Sequence, residues 1–123
     1  MGSPSRSARG KAYYFWRVLA VSCALALGIL SLWPADELVR LGATHLNDKV
    51  GHFIGYLLLA GLFGSGWPRR PLWQIWVATF LFGLLIEYAQ SFTPSRQFEM
   101  LDMVANGTGA LVAVGALWFW RRR

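Results

Sequence analysis

Cysteine is nearly absent from this 123-residue chain: Cys23 stands alone, so no disulfide framework can hold the fold. Acidic residues are scarce too, six against twelve Lys and Arg, and charged residues of both signs reach only 15%. They are bunched between long uncharged stretches, whereas the helices of a soluble protein each carry a charged face. No basic face interleaved with exposed aromatics accompanies the net charge of +6, which argues against nucleic acid as a partner. Neither H-E-x-x-H nor a Cys/His zinc spacing occurs. Internal repeats are missing, and the only biased segment is the polar stretch Met1 to Lys11.

What remains is apolar: 55% of residues are hydrophobic and the mean hydropathy is +0.39, which points to the bilayer as solvent. Four runs stand out, at about 13–33, 50–67, 72–92 and 103–120. Each is long enough to cross a hydrocarbon core of ~30 Å at ~1.5 Å per residue. Breakers separate them: Trp33-Pro34, the short connector Gly66-Trp67-Pro68-Arg69-Arg70-Pro71, and Thr93-Pro94-Ser95. Most of the seven Trp and four Tyr lie near the run ends, as interfacial belts do. The sequence therefore predicts an all-α membrane protein, four transmembrane helices in a compact antiparallel bundle, with residues 1–12 as a disordered basic tail and 13–123 as a single domain. The first run is read as a retained anchor, because Ser31-Leu32-Trp33-Pro34 is bulky where a signal peptidase needs small residues.

Nine basic residues, Arg6, Arg9, Lys11, Arg17, Arg69, Arg70, Arg121, Arg122 and Arg123, fall on one side of this arrangement, and only Arg40, Lys49 and Arg96 on the other. The positive-inside rule makes both termini cytoplasmic and turns the connectors 34–49 and 93–102 outward.

All six acids lie in those outer connectors or the outer halves of runs. Asp48 and His52 are an i, i+4 pair at the start of the second run, sharing a face with Tyr56; Glu87 and Gln90 are i, i+3 at the end of the third; Asp102 and Asn106 are i, i+4 at the start of the fourth. His52, Glu87 and Asn106 are thereby expected roughly 6 to 8 Å below the outer boundary. An ionised acid within a span costs about 2.5–3.5 kcal/mol, so Glu87 needs a protein partner, with His52, Lys49 and Arg96 as candidates. Small residues, among them the Gly51-to-Gly55 GxxxG and Ala105, Gly107, Gly109 and Ala110, are expected to let the helices approach. Each polar residue taken alone serves equally well as interhelical glue.

The ordered blocks Asp48-Lys49-x-x-His52-Phe53, Glu87-x-x-Gln90, Pro94-x-Arg96 and Asp102-x-x-Ala105-Asn106-x-x-Gly109 resemble the VanZ-like family of small bacterial membrane proteins. The match runs from about Asp48 to the end of the fourth run. The resemblance implies a multi-pass protein of the bacterial cytoplasmic membrane, in a family whose founding member is associated with resistance to the glycopeptide teicoplanin. It nominates Asp48, Lys49, His52, Glu87, Gln90, Arg96, Asp102 and Asn106, and it brings no established reaction.

Those residue types suit an anionic lipid head group at the outer leaflet, such as a polyprenyl phosphate or a lipid-linked cell-envelope precursor. Lys49 and Arg96 are expected to hold phosphate, with Gln90, Asp102 and Asn106 completing the binding set. His52, oriented by Asp48 or Glu87, is the expected general base or nucleophile. No cofactor is called for; a divalent cation on His52, Asp48, Glu87 and Asp102 is the alternative, since carboxylates suit Mg²⁺ or Mn²⁺ beside phosphate. Two further readings are a small proton-coupled transporter using Glu87 and His52, and a non-catalytic partner of another membrane protein.

Overall fold

The computed structural model describes residues 6–33, 45–93 and 99–122, with side chains from 10, 48 and 99 onward in the three segments. Among them the fold is all-α: α1 Arg6–Leu32, α2 His45–Gly66, α3 Leu72–Gln90 and α4 Met100–Arg122. The helix bounds follow the breakers read from sequence. Pro71 sits immediately before α3 with φ −58°, preset for a helix start. At its far end the Ser91 N–H donates to the carbonyls of Glu87 and Tyr88, and the Thr93 hydroxyl caps the Gln90 carbonyl at 2.7 Å. Asp102 in the first turn of α4 and Arg121 and Arg122 in its last turn complement the helix dipole.

The helix α1 begins at Arg6, ahead of the apolar run that starts at about residue 13. The expectation of four spans is refined. Three helices, α1 from Gly10 to Leu32, α3 and α4, are long and apolar enough to cross a membrane. At 22 residues α2 is long enough too, but Lys49, His52 and several glycines dilute its apolar content.

The helices alternate in direction. Arg17 near the start of α1 donates to the Gly66 carbonyl at the end of α2 at 2.8 Å, while Gln90 at the end of α3 donates to the Ser31 carbonyl at the end of α1 at 2.5 Å. Lys49 joins the start of α2 to the start of α4, and Arg121 joins the end of α4 to the Arg70 carbonyl at 2.7 Å. The helix α2 is central, packing most extensively on α4 and next on α1.

This interior is the reverse of a soluble one. Its apolar core is small, with Ala60, Ile75, Ala110 and Ala113 at the centre, while Leu25, Ile29, Leu58, Leu85, Leu111 and Phe119 are exposed. His52, Thr79, Glu87, Gln90, Asp102 and Asn106 are buried instead. Apolar surface outward and polar groups inward is the arrangement a hydrocarbon solvent selects.

Candidate functional site

Glycines set how closely the elements that carry the polar residues can meet. At Gly109 of α4 a Cβ would collide with the Phe53 carbonyl of α2, so the two backbones touch. At Gly83 of α3 a Cβ would lie 2.8 Å from Asn106 Nδ2 and 3.0 Å from the Tyr56 ring, so the missing side chain admits both. The GxxxG expected to bring α3 and α4 alongside does neither: Gly51 faces open space, and Gly55 receives Leu27 of α1.

In the closed corner between these helices, His52 Nδ1 meets Asn106 Oδ1 at 2.9 Å. Nε2 of the same ring looks toward Asp48 Oδ1 and Asp102 Oδ2, each at 3.7 Å. Tyr56, one turn further along α2, stacks on the imidazole with ring centroids 6.3 Å apart. Lys49 is held by Asp102 Oδ1 and Glu99, with Asp48 3.6 Å away. Burial pulls the Lys49 ammonium down, but its hydrogen bonds to Asp102 and Glu99 outweigh that and hold its pKa above the ordinary lysine value.

Glu87 is fully buried against Asp102. Its Oε2 accepts a long hydrogen bond, 3.4 Å, from the Glu99 backbone N–H. Among the described residues, three buried polar atoms have no hydrogen-bond partner: Glu87 Oε1, Tyr56 OH and Asn106 Nδ2. They come from three helices and gather along the Gly83 and Glu87 face of α3, for Asn106 Nδ2 and the Tyr56 ring flank Gly83, one turn from Glu87. Buried polar groups without a partner are rare in folded proteins.

The structure thus brings together Asp48, Lys49, His52, Glu87, Asp102 and Asn106. Gln90 is buried but turned to α1 through its bond to the Ser31 carbonyl. Arg96 lies outside the described residues, as do the connectors 34–44 and 94–98 that attach at this end. His52 Nδ1 is held by Asn106, while Asp48, one of the two partners expected from the sequence, lies 3.7 Å from Nε2. Glu99 and Tyr56 are additions: Glu99 immediately precedes α4 and bonds Lys49, and Tyr56 is i+4 from His52. A cavity of about 1080 Å³ lies at the opposite end of the helices, lined by Tyr13, Arg17, Trp67, Arg69 and Arg70, far from this cluster.

Comparison with known proteins identifies a family. A family model described as VanZ/LLP1 matches residues 30–121. An uncharacterized protein of the fission yeast Schizosaccharomyces pombe is 36% identical over 73 residues, which take in 56% of this chain and 45% of the yeast protein. The matched region thus spans less than half the length of that relative. No solved structure matches the chain.

Proposed function

The chain belongs to the VanZ/LLP1 family, and from that premise we propose that its polar cluster binds or processes the head group of an anionic lipid, such as a polyprenyl phosphate or a lipid-linked cell-envelope precursor. The observation that carries this reading is the set of unpartnered buried atoms, Glu87 Oε1, Tyr56 OH and Asn106 Nδ2, at one end of helices whose outer surfaces are apolar. A lipid offers both halves of the match, acyl chain along the exposed leucines and polar head group in the nest. Lys49 and Arg96 supply positive charge, and His52, steered by Asn106, supplies an imidazole nitrogen.

All four helices cross the membrane in this reading, α2 with its polar first turns at the interface. Both termini then lie on the cytoplasmic side, where the positive-inside rule sends Arg17, Arg69, Arg70 and Arg121. The cluster faces the opposite leaflet, where cell-envelope precursors of bacteria are presented and where an effect on teicoplanin sensitivity would arise. A carrier is less well served: toward the other end of the helices the buried polar side chain among the described residues is Thr79, whose hydroxyl bonds the Ile75 carbonyl at 2.8 Å.

The test is lipid capture. Protein purified in mild detergent is extracted and its lipids identified by mass spectrometry, alongside Asn106→Ala and Glu87→Gln. Enrichment of an anionic polyprenyl or phospholipid on wild type and its loss from both variants is the expected result. Equal recovery from all three sinks the reading.

A further inference from the structure

The ring nitrogen of His52 that faces away from Asn106 looks toward carboxylate oxygens. Asn106 Oδ1 only accepts hydrogen bonds, so the Nδ1 it meets at 2.9 Å carries a proton, and whenever the ring is neutral its lone pair is on Nε2. That lone pair looks at Asp48 Oδ1 and Asp102 Oδ2, both 3.7 Å away. Three electron-pair donors from two helices converge, all within 4.8 Å of one another.

Local charge points the same way. Lys49 is the one ammonium among three carboxylates, Asp48, Glu99 and Asp102. It takes Oδ1 of Asp102 and leaves Oδ2 to the His52 side. A fourth carboxyl, Glu87, is buried behind Asp102 with Oε1 unpartnered. Carboxylates gathered in a poorly hydrated corner repel one another and also repel a phosphate.

We propose that Asp48, His52 and Asp102 form a binding site for a divalent metal ion of the Mn²⁺ or Zn²⁺ class. One imidazole nitrogen and two carboxylate oxygens make a mixed N/O set of the kind these ions accept. With bonds of about 2.1 Å, neighbouring ligand atoms stand roughly 3.0–3.4 Å apart, so the two His–carboxylate edges close by a few tenths of an ångström and the carboxylate–carboxylate edge by up to about 1.5 Å. Asp48, which is 34% exposed on the rim, is free to make that adjustment. The surrounding contacts are those a metal centre uses: Asn106 fixes the ring and its tautomer, and Lys49 holds Asp102 by its other oxygen. Three protein ligands leave coordination positions open toward the rim, where water or a phosphate oxygen can bind. The ion also offsets the acid excess that would otherwise turn an anionic head group away, but its binding does not rest on the head-group reading.

The experiment measures the metal alone. Full-length protein in detergent micelles, stripped with chelator and with no lipid phosphate added, is titrated with MnCl₂, following the free Mn²⁺ electron paramagnetic resonance signal and the heat of binding. One Mn²⁺ per chain, displaced by Zn²⁺, is expected. Asp48→Asn changes a half-exposed rim residue and leaves the helices packed; it weakens binding by about tenfold or more, as does His52→Gln. Glu99→Gln, which touches Lys49 but no ligand, changes affinity by less than about threefold, the scale of a neighbouring charge screened by solvent. The proposal is overturned if wild type binds neither ion below about 1 mM, if Asp48→Asn and His52→Gln bind like wild type, or if Glu99→Gln loses as much as Asp48→Asn. Mn²⁺ binding that survives alongside a failure of lipid capture counts against the head-group reading and leaves the metal site standing.

Discussion

The hydrogen bond between His52 Nδ1 and Asn106 Oδ1, 2.9 Å long and buried, joins two helices across 54 residues of sequence. It fixes the imidazole plane, and with it the direction in which the second ring nitrogen faces the carboxylates of Asp48 and Asp102. Substituting Asn106→Leu keeps the volume and removes the acceptor. A buried N–H is then left unpaired, at about 1–3 kcal/mol. Thermal unfolding in detergent is expected at a lower temperature than wild type, with lipid capture lost. An unchanged transition with full capture shows that the contact positions nothing.

Two glycines with opposite surroundings test how the helices meet. Gly109→Ala places a methyl group on the Phe53 carbonyl, a backbone atom that moves only if α2 moves, whereas Gly51→Ala points into open space. The first is expected to destabilise the fold by about 1–3 kcal/mol, the range for overpacking. The second gains slightly in helix propensity, up to about 1 kcal/mol. Denaturation of both variants in the same detergent checks the contrast, and equal effects remove the case for backbone contact at Gly109.

Lys49 is the counter-ion of the cluster. Removing it by Lys49→Met leaves Asp102, 6% exposed, without its ammonium. Breaking a fully buried pair costs about 3–5 kcal/mol; with Lys49 itself partly solvated, roughly 1–3 kcal/mol is expected. Adding Asp102→Asn to Lys49→Met recovers part of the loss, a coupling that a double-mutant cycle reads directly. The pH dependence has a definite sign. Because the folded pKa of Lys49 lies above the ordinary 10.5, its contribution is full at every pH below 10.5 and fades only as pH rises through the higher folded value. Wild type therefore loses stability relative to Lys49→Met only in strong alkali; a divergence opening between neutral pH and pH 9 contradicts the assignment.

Topology is checked with reporter fusions after Arg70 and after Arg123. Both are expected to report the cytoplasmic face, since Arg17, Arg69, Arg70 and Arg121 cluster at the end of the helices away from His52. If either reports the opposite face, the polar cluster opens inward and cell-envelope precursors are the wrong substrate class.

Much of this is legible in the sequence, and the reason is physical. Helix ends follow from Pro and Gly chemistry, which is local, and so do the i, i+4 pairs Asp48/His52 and Asp102/Asn106. The shared depth of His52, Glu87 and Asn106 follows from the rise per residue. Rotation about the helix axis is not local. Gln90 lies only three residues from Glu87, yet it faces the Ser31 carbonyl of α1. Nor does a GxxxG state which neighbour it serves: Gly55 meets α1, while the close approach to α4 falls at Phe53, opposite Gly109. The start of α1 at Arg6 carries no such signal, because the helix extends past its apolar run into a polar stretch.

Glu87 separates structural from chemical roles most cleanly. It is 0% exposed, one oxygen accepts a long 3.4 Å bond from the Glu99 backbone N–H, and the other is unpartnered. Glu87→Gln keeps the size and the acceptor for that N–H and removes the capacity for charge beside Asp102. Were the side chain only interhelical glue, the amide would serve as well, since replacing a buried ionisable group by a neutral one of similar volume is often neutral or stabilising by about 1–4 kcal/mol. The unfolding temperature is therefore expected to match or exceed that of wild type. A role in meeting a ligand makes the opposite demand on function, and lipid retained through purification is expected to fall several-fold in the same preparation. Stability and retention moving together, in either direction, would mean that Glu87 acts on the fold alone.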